Sequence, residues 1–242
     1  MTSGENEGYM YVCIECNHPA KELYKDYNGG VIRIAHCTGC NTVVDKYIEQ
    51  DPVLIFLDAL LHKPQAYRHL LINQHLHSHG KLLFIFLICD AFTQWAQNQP
   101  QGVDTSSQSD FIFYAALELN FYKMFITVLI EFIVFICGVT LTLQLSKALN
   151  LQNFNVRFKY LIHGLIVSNF GKLLVVPAVI WGQSNSALYM WLTRLFTFTS
   201  NMQAIKVMLG CSHIWAFVVI LNGCIGSLAV NYWMRTILWD IL

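Results

Sequence analysis

Charge is scarce in this chain. Of its 242 residues only 15 are Lys or Arg and 15 are Asp or Glu, a 12% share that is about half the usual soluble value. The two signs cancel, which excludes both the basic profile of a nucleic-acid binder and the acidic profile of a solvating tail. Catalytic signatures are missing as well: there is no nucleophile elbow, no phosphate loop and no H-E-x-x-H pair. The opening MTSGENEGYM is polar and acidic with no apolar run behind it. A secretory leader is therefore not expected, and the amino terminus is expected to begin in the cytosol.

What the chain has in abundance is apolar side chain, 55% of its residues. A soluble fold of this length has too little interior to hide that much, so lipid must solvate part of it. The charges concentrate at one end: residues 1–81 hold seven of the fifteen Lys and Arg and nine of the fifteen acids. The rest is dense in Leu, Ile, Val and Phe. That shift predicts a small soluble head followed by a membrane body.

The eight cysteines divide the same way. Cys13, Cys16, Cys37 and Cys40 form two C-x-x-C pairs twenty residues apart, whereas Cys89, Cys137, Cys211 and Cys224 lie singly in apolar runs. Two such knuckles at this separation suit a tetrahedral site with four sulfur ligands, each pair closing on the metal from a tight turn. Gly39 relaxes the second turn, and Asn28-Gly29-Gly30 signals a hairpin between the pairs. Strands are expected over 9–12, 31–36 and 43–48. Two disulfides or a thioredoxin-type redox pair are the alternatives. Reduced cytosolic thiols and the lack of a β-α-β pattern favour structural Zn²⁺ on Cys13, Cys16, Cys37 and Cys40. A head of about 45 residues buries too little to hold itself together, so the metal supplies much of its folding free energy. His18 and His36 flank the ligands.

Behind the knuckles, Asp51-Pro52 reads as a helix start and Pro64 as a second one. The apolar stretch 53–61 makes a helix of roughly 13 Å, too short to span, so it packs on the ribbon or lies in the headgroup plane. His75, His77 and His79 alternate just before the membrane and read as a hydrated cluster rather than a metal site.

The runs CIECN, LYKDY, IRIAHCTGCNTVVDKYIE and DPVLIFLDALLHKPQAYRHLL occur together and in order. Over residues 11–73 they resemble the Arv homology domain, which heads the Arv family of endoplasmic-reticulum proteins of sterol and lipid homeostasis. The resemblance implies a non-enzymatic, multi-pass protein of the endoplasmic-reticulum membrane that moves sterol and related lipids, with a link to sphingolipid metabolism. The alternative is a scaffold for glycosylphosphatidylinositol anchor biosynthesis that binds protein partners through its head. Membrane lipid, sterol foremost, is the expected partner, and nucleic acid is not. A lipid-modifying enzyme using Glu131 and His163 is a third reading.

Four stretches are expected to cross the membrane: 82–95, 124–145, 161–181 and 211–233. The expected fold class is therefore a small N-terminal four-cysteine zinc ribbon followed by an all-α polytopic bundle of about four spans plus interfacial helices. The segments are a disordered 1–8, the ribbon at 9–50, juxtamembrane helices at 51–80 and the bundle at 81–242. An interfacial helix is expected over 188–209, where Arg194, Thr197 and Asn201 share one stripe, with a fifth span as the alternative. The connections after the head carry one, three and two basic residues and the tail one, which fits a cytosolic head, with an even number of spans returning the tail to the cytosol. Glu131 and Lys172 sit at about 11 Å and 14 Å from one membrane face at 1.5 Å per residue, depths that suit an ion pair. Gly138, Gly164, Gly223 and Gly226 offer close approach between helices or to a flat ring system.

Overall fold

The computed structural model describes residues 11–27, 31–74, 79–97, 110–150, 158–181 and 187–240. Two compact units divide the chain, Met1–His77 and Ser78–Leu242. The expected turn at Asn28-Gly29-Gly30, the 1–8 segment, His75 and His77, and the side chain of His79, lie outside the described residues.

In the first unit β1 (Tyr11–Val12) pairs antiparallel with β2 (Pro19–Ala20), and β3 (Tyr24–Tyr27) with β4 (Val31–Ile34). The strand expected over 43–48 does not form. Val43 alone bridges, to His36, and then the Asp45 carboxylate accepts from the Tyr47 N–H at 3.0 Å and opens a 3₁₀ turn, Lys46–Glu49. A short acidic side chain that captures a nearby backbone N–H draws the chain out of an extended ladder.

Helix α1 (Pro52–Leu60) begins at its proline. Asp51 is extended but makes no side-chain cap bond, so the preset φ of proline fixes the start here. The chain turns at His62, which takes φ +55, and α2 (Pro64–Arg68) follows and runs on as a π-helical turn, His69–Asn73. Helix α1 buries Ile55 and Ala59 and leaves Val53, Leu54, Phe56, Leu57 and, just past its end, Leu61 exposed.

The second unit holds α3 (His79–Gln97), α4 (Asp110–Ala148), α5 (Phe158–Ser168), a 3₁₀ segment Asn169–Leu174, α6 (Val175–Ile180), α7 (Ala187–Leu209) and α8 (His213–Asp240). Among the described residues three stretches are long and apolar enough to cross a membrane: Glu118–Ala148, Phe158–Ala178 and His213–Thr236. Three of the four expected spans have a counterpart among these stretches, and 82–95 does not. Residues 82–95 fall in α3, where Lys81, Asp90, Thr93, Gln94 and Gln97 interrupt the apolar run.

Helices α4 and α8 pack antiparallel, with Glu131 against Asn231 at one level and Gly138 against Gly223 at another. A Cβ added to Gly138 would stand 3.0 Å from the Gly223 Cα, and one on Gly223 would stand 2.9 Å from the Phe135 ring. These glycines let two backbones approach where lipid offers no hydrophobic drive for association. The 3₁₀ segment between α5 and α6 precedes Pro177, which has no N–H for the carbonyl one turn back.

The polar stripe of helix α7 packs within its unit. Asn201 is buried and its Oδ1 accepts from Ser168 Oγ at 2.5 Å, while Ser200 Oγ donates to the Ser168 carbonyl at 2.6 Å. A Cβ on Gly171 would meet Thr197 Oγ1 at 2.9 Å. Thr197 and Asn201 thus face α5 and its 3₁₀ extension. A polar stripe inside a bundle satisfies the same hydrogen bonds that headgroups would, and periodicity does not separate the two cases.

Candidate functional site

The two knuckles are turns whose backbone bonds aim sulfur inward. Asn17 N–H donates to the Cys13 carbonyl at 2.9 Å and Asn41 N–H to the Cys37 carbonyl at 3.0 Å. Asn17 and Asn41 both take the left-handed conformation, φ 63 and φ 62, which asparagine tolerates better than most residues. The result is a cluster in which the Sγ atoms of Cys13, Cys16, Cys37 and Cys40 all lie within 4.8 Å of one another. Cys13 Sγ stands 3.7 Å from Cys40 Sγ and Cys16 Sγ 3.6 Å from Cys37 Sγ. A tetrahedron with metal–sulfur bonds of about 2.3 Å has edges of about 3.8 Å, whereas a disulfide needs about 2.05 Å. The four are free thiols, and this donor set fits a metal ion.

The surroundings split the sulfurs, favouring the charged form at Cys40 and opposing it at Cys16, whose thiol is pushed up to about 12 where its neighbours are also thiols. Gly39 N–H donates to Cys37 Sγ at 3.3 Å, and Thr42 Oγ1 lies 2.9 Å from Cys40 Sγ. The bonds from the Thr42 hydroxyl and backbone pull the Cys40 thiol down to about 6, so it is ready to ligate at neutral pH.

The helices behind the knuckles hold the first one in place. Arg68 Nη1 donates to the carbonyls of Ile14 and Glu15, at 2.5 Å and 2.9 Å, inside the C-x-x-C loop itself. Asn73 acts as a side-chain strand partner: its Oδ1 accepts from Val12 N–H and its Nδ2 donates to the Val12 carbonyl, both at 3.0 Å. The same Nδ2 donates to Asp45 Oδ2 at 2.8 Å, and His69 Nδ1 lies 2.7 Å from that oxygen. Asp45 is fully buried, a state a carboxylate tolerates only when its oxygens are this well bonded. At the edge of the network Tyr47 donates to Asp58 at 2.8 Å. Burial and the Asp58 bond push the tyrosine upward, and Lys63 and Tyr47 hold the Asp58 carboxyl below its ordinary range.

A second cluster lies within the helical unit. Lys172 Nζ meets Asp90 Oδ2 at 2.6 Å and sits 5.9 Å from the centre of the Phe132 ring. Glu131 takes its bonds from amides: Gln94 Nε2 lies 3.3 Å and 3.4 Å from its two oxygens, and Asn231 Nδ2 also donates to it. The expected Glu131–Lys172 pair is thus replaced by Asp90–Lys172. Gln94 is buried, and no donor among the described residues reaches its Oε1.

Comparison with known proteins decides the family. A model of the Arv1-like family matches residues 12–205. The chain belongs to the Arv1-like family. It is 40% identical to Protein ARV1 of Bos taurus over 234 residues, covering 96% of this chain and 81% of that protein. Protein ARV1 of Homo sapiens is 39% identical, over 96% of this chain and 84% of its own length. The arv1 homolog of Dictyostelium discoideum is 29% identical, with 90% and 92% covered. No solved structure matches.

In this Arv1-like chain the four cysteines chosen from spacing converge. The residues that reading the sequence missed are the ones that act on backbone: Arg68, Asn73 and Asp45 carry no motif of their own. Asp90 had a signal, an acid in an apolar run, but the 82–95 stretch was weighed only as a span. His18 supports the second knuckle by packing, since a Cβ on Gly39 would stand 3.2 Å from its ring. Replacing Asn73 by Ala strands the Val12 N–H and carbonyl at once. The expected cost is about 1–3 kcal/mol per orphaned group, read as faster amide exchange at Val12 and Cys13.

Proposed function

We propose that this protein is a non-enzymatic, multi-pass component of the endoplasmic-reticulum membrane that moves or distributes sterol and related lipids. Its head is a cytosolic zinc ribbon in which Cys13, Cys16, Cys37 and Cys40 hold one structural Zn²⁺. The Arv family resemblance supplies the lipid class. Four thiolates close the coordination shell of zinc, leaving no position for a substrate, so the metal's work is to fold the head.

The observation that carries the lipid reading is the open acceptor in the helical unit. Sterol is apolar apart from one hydroxyl, so a protein that handles it needs lipid-facing surface and a single polar anchor. The outward faces of the spans supply the surface, with Ile126, Ile133, Leu141, Ile225 and Leu228 exposed. Gln94 Oε1, buried and without a donor among the described residues, is an acceptor of the right chemistry for one hydroxyl. Cells lacking the protein are expected to accumulate sterol in the endoplasmic reticulum, measured by organelle fractionation and lipid mass spectrometry. Normal sterol distribution with failed anchor assembly would overturn the transport reading.

The scaffold reading, in which the head supports glycosylphosphatidylinositol assembly, draws on a different observation: the exposed apolar face of α1. A surface of that kind serves protein docking or membrane contact alike.

A further inference from the structure

We propose that the exposed face of α1 is a bilayer-docking surface, which lays the metal-binding head flat on the membrane that its own chain crosses. The face is a property of one helix. Apart from Tyr24, every large apolar side chain exposed among the described head residues is on α1 or one residue past it. Val53 is 67% exposed, Leu54 49%, Leu57 47% and Leu61 69%. At about 100° per residue these four fall within an arc of about 100°. Ile55 and Ala59, which are buried at 7% and 2%, lie on the opposite side.

The orientation is fixed from within the head. Ile55 and Ala59 anchor the inner face, and the Asp58 carboxylate is tied to the Tyr47 hydroxyl at 2.8 Å and to Lys63 Nζ at 2.7 Å. The helix cannot roll to hide its outer face without breaking those bonds, so the apolar arc is presented ready-made and little ordering cost remains on docking. Its nine residues span about 13 Å, too short to cross, so it lies in the plane of the interface.

Two observations select lipid over a protein partner. The face is Val and three Leu, with the exposed Phe56 on its flank, whereas protein hot spots favour Trp, Tyr and Arg. The head unit also ends at His77 and the unit carrying the membrane-crossing stretches begins at Ser78. Carriage on the same chain keeps the face at high effective concentration near a bilayer, where weak apolar burial suffices for contact.

The test uses the full chain in phosphatidylcholine nanodiscs and in native microsomes, with photoreactive benzoylphenylalanine at Leu57 or Leu61. Glu22, an exposed position on the head, is the negative control, and Ile133, on a crossing helix, is the positive one. Lipid adducts are expected at Leu57 and Leu61 at about tenfold or more over Glu22, and their yield should fall with Val53→Ser and Leu54→Ser together. Absence of lipid adducts at both positions while Ile133 labels lipid would overturn the assignment. So would adducts in microsomes to a protein instead of lipid. Either result stands apart from the transport reading, which concerns the helical unit alone.

Discussion

Replacing Cys37 and Cys40 by Ser is expected to release one zinc ion per chain and to unfold the head while the helical unit stays intact. Two of four ligands vanish, and a hydroxyl is a poor substitute for a thiolate on zinc. Structural zinc supplies about 10–16 kcal/mol in small zinc-finger peptides, as much as the whole stability of a typical domain. The knuckles have little to set against that loss, since the buried apolar cluster around them is built from Cys13, Cys37 and Val44, two of which are the ligands themselves. Elemental analysis of the purified chain should fall from one zinc to none. Limited proteolysis should then cut between residues 11 and 73 while the crossing helices remain protected. Stoichiometric zinc in the double variant would end the assignment of these four ligands.

The second large effect concerns the Asp90–Lys172 pair. Asp90→Leu leaves the Lys172 ammonium without its 2.6 Å partner, in a bundle where the nearby acid, Glu131, is occupied by two amides. Both side chains are mostly buried, 27% and 18% exposed, and breaking such a pair costs about 3–5 kcal/mol, because the stranded charge loses its partner without regaining water. Removing both charges together, Asp90→Leu with Lys172→Met, should recover most of that loss. The readout is thermal unfolding of the nanodisc-embedded protein. Equal and additive losses in the two single variants and the double would mean that the pair is not coupled.

The sequence foretold those parts of the structure in which spacing alone sets the geometry. Two C-x-x-C knuckles brought four sulfurs together, and the prolines at 52 and 64 placed two helix starts, because each is a local rule that neighbours do not override. Depth arithmetic failed for Glu131 and Lys172. It assigned each residue a height along its own span but ignored azimuth, and the azimuth of Lys172 turns it toward α3 and Asp90. In helix α3 an apolar run and polar pairing compete. Its polar residues break the apolar run that a span requires, yet the Asp90 carboxylate and the Gln94 Nε2 find partners in Lys172 and Glu131 on neighbouring elements. Arg68 and Asn73 were illegible because their partners are backbone groups more than fifty residues away, and a backbone carbonyl leaves no mark on the sequence.

The claim that the helical unit receives a lipid with one polar anchor is tested most directly by photoreactive sterol labelling of the full chain in nanodiscs. The account predicts saturable labelling that unlabelled sterol competes away, with adducts on the helices around Gln94 and Glu131, and weaker labelling in a Gln94→Leu variant that folds normally. Labelling that excess sterol does not reduce, or that is unchanged in Gln94→Leu, would contradict it.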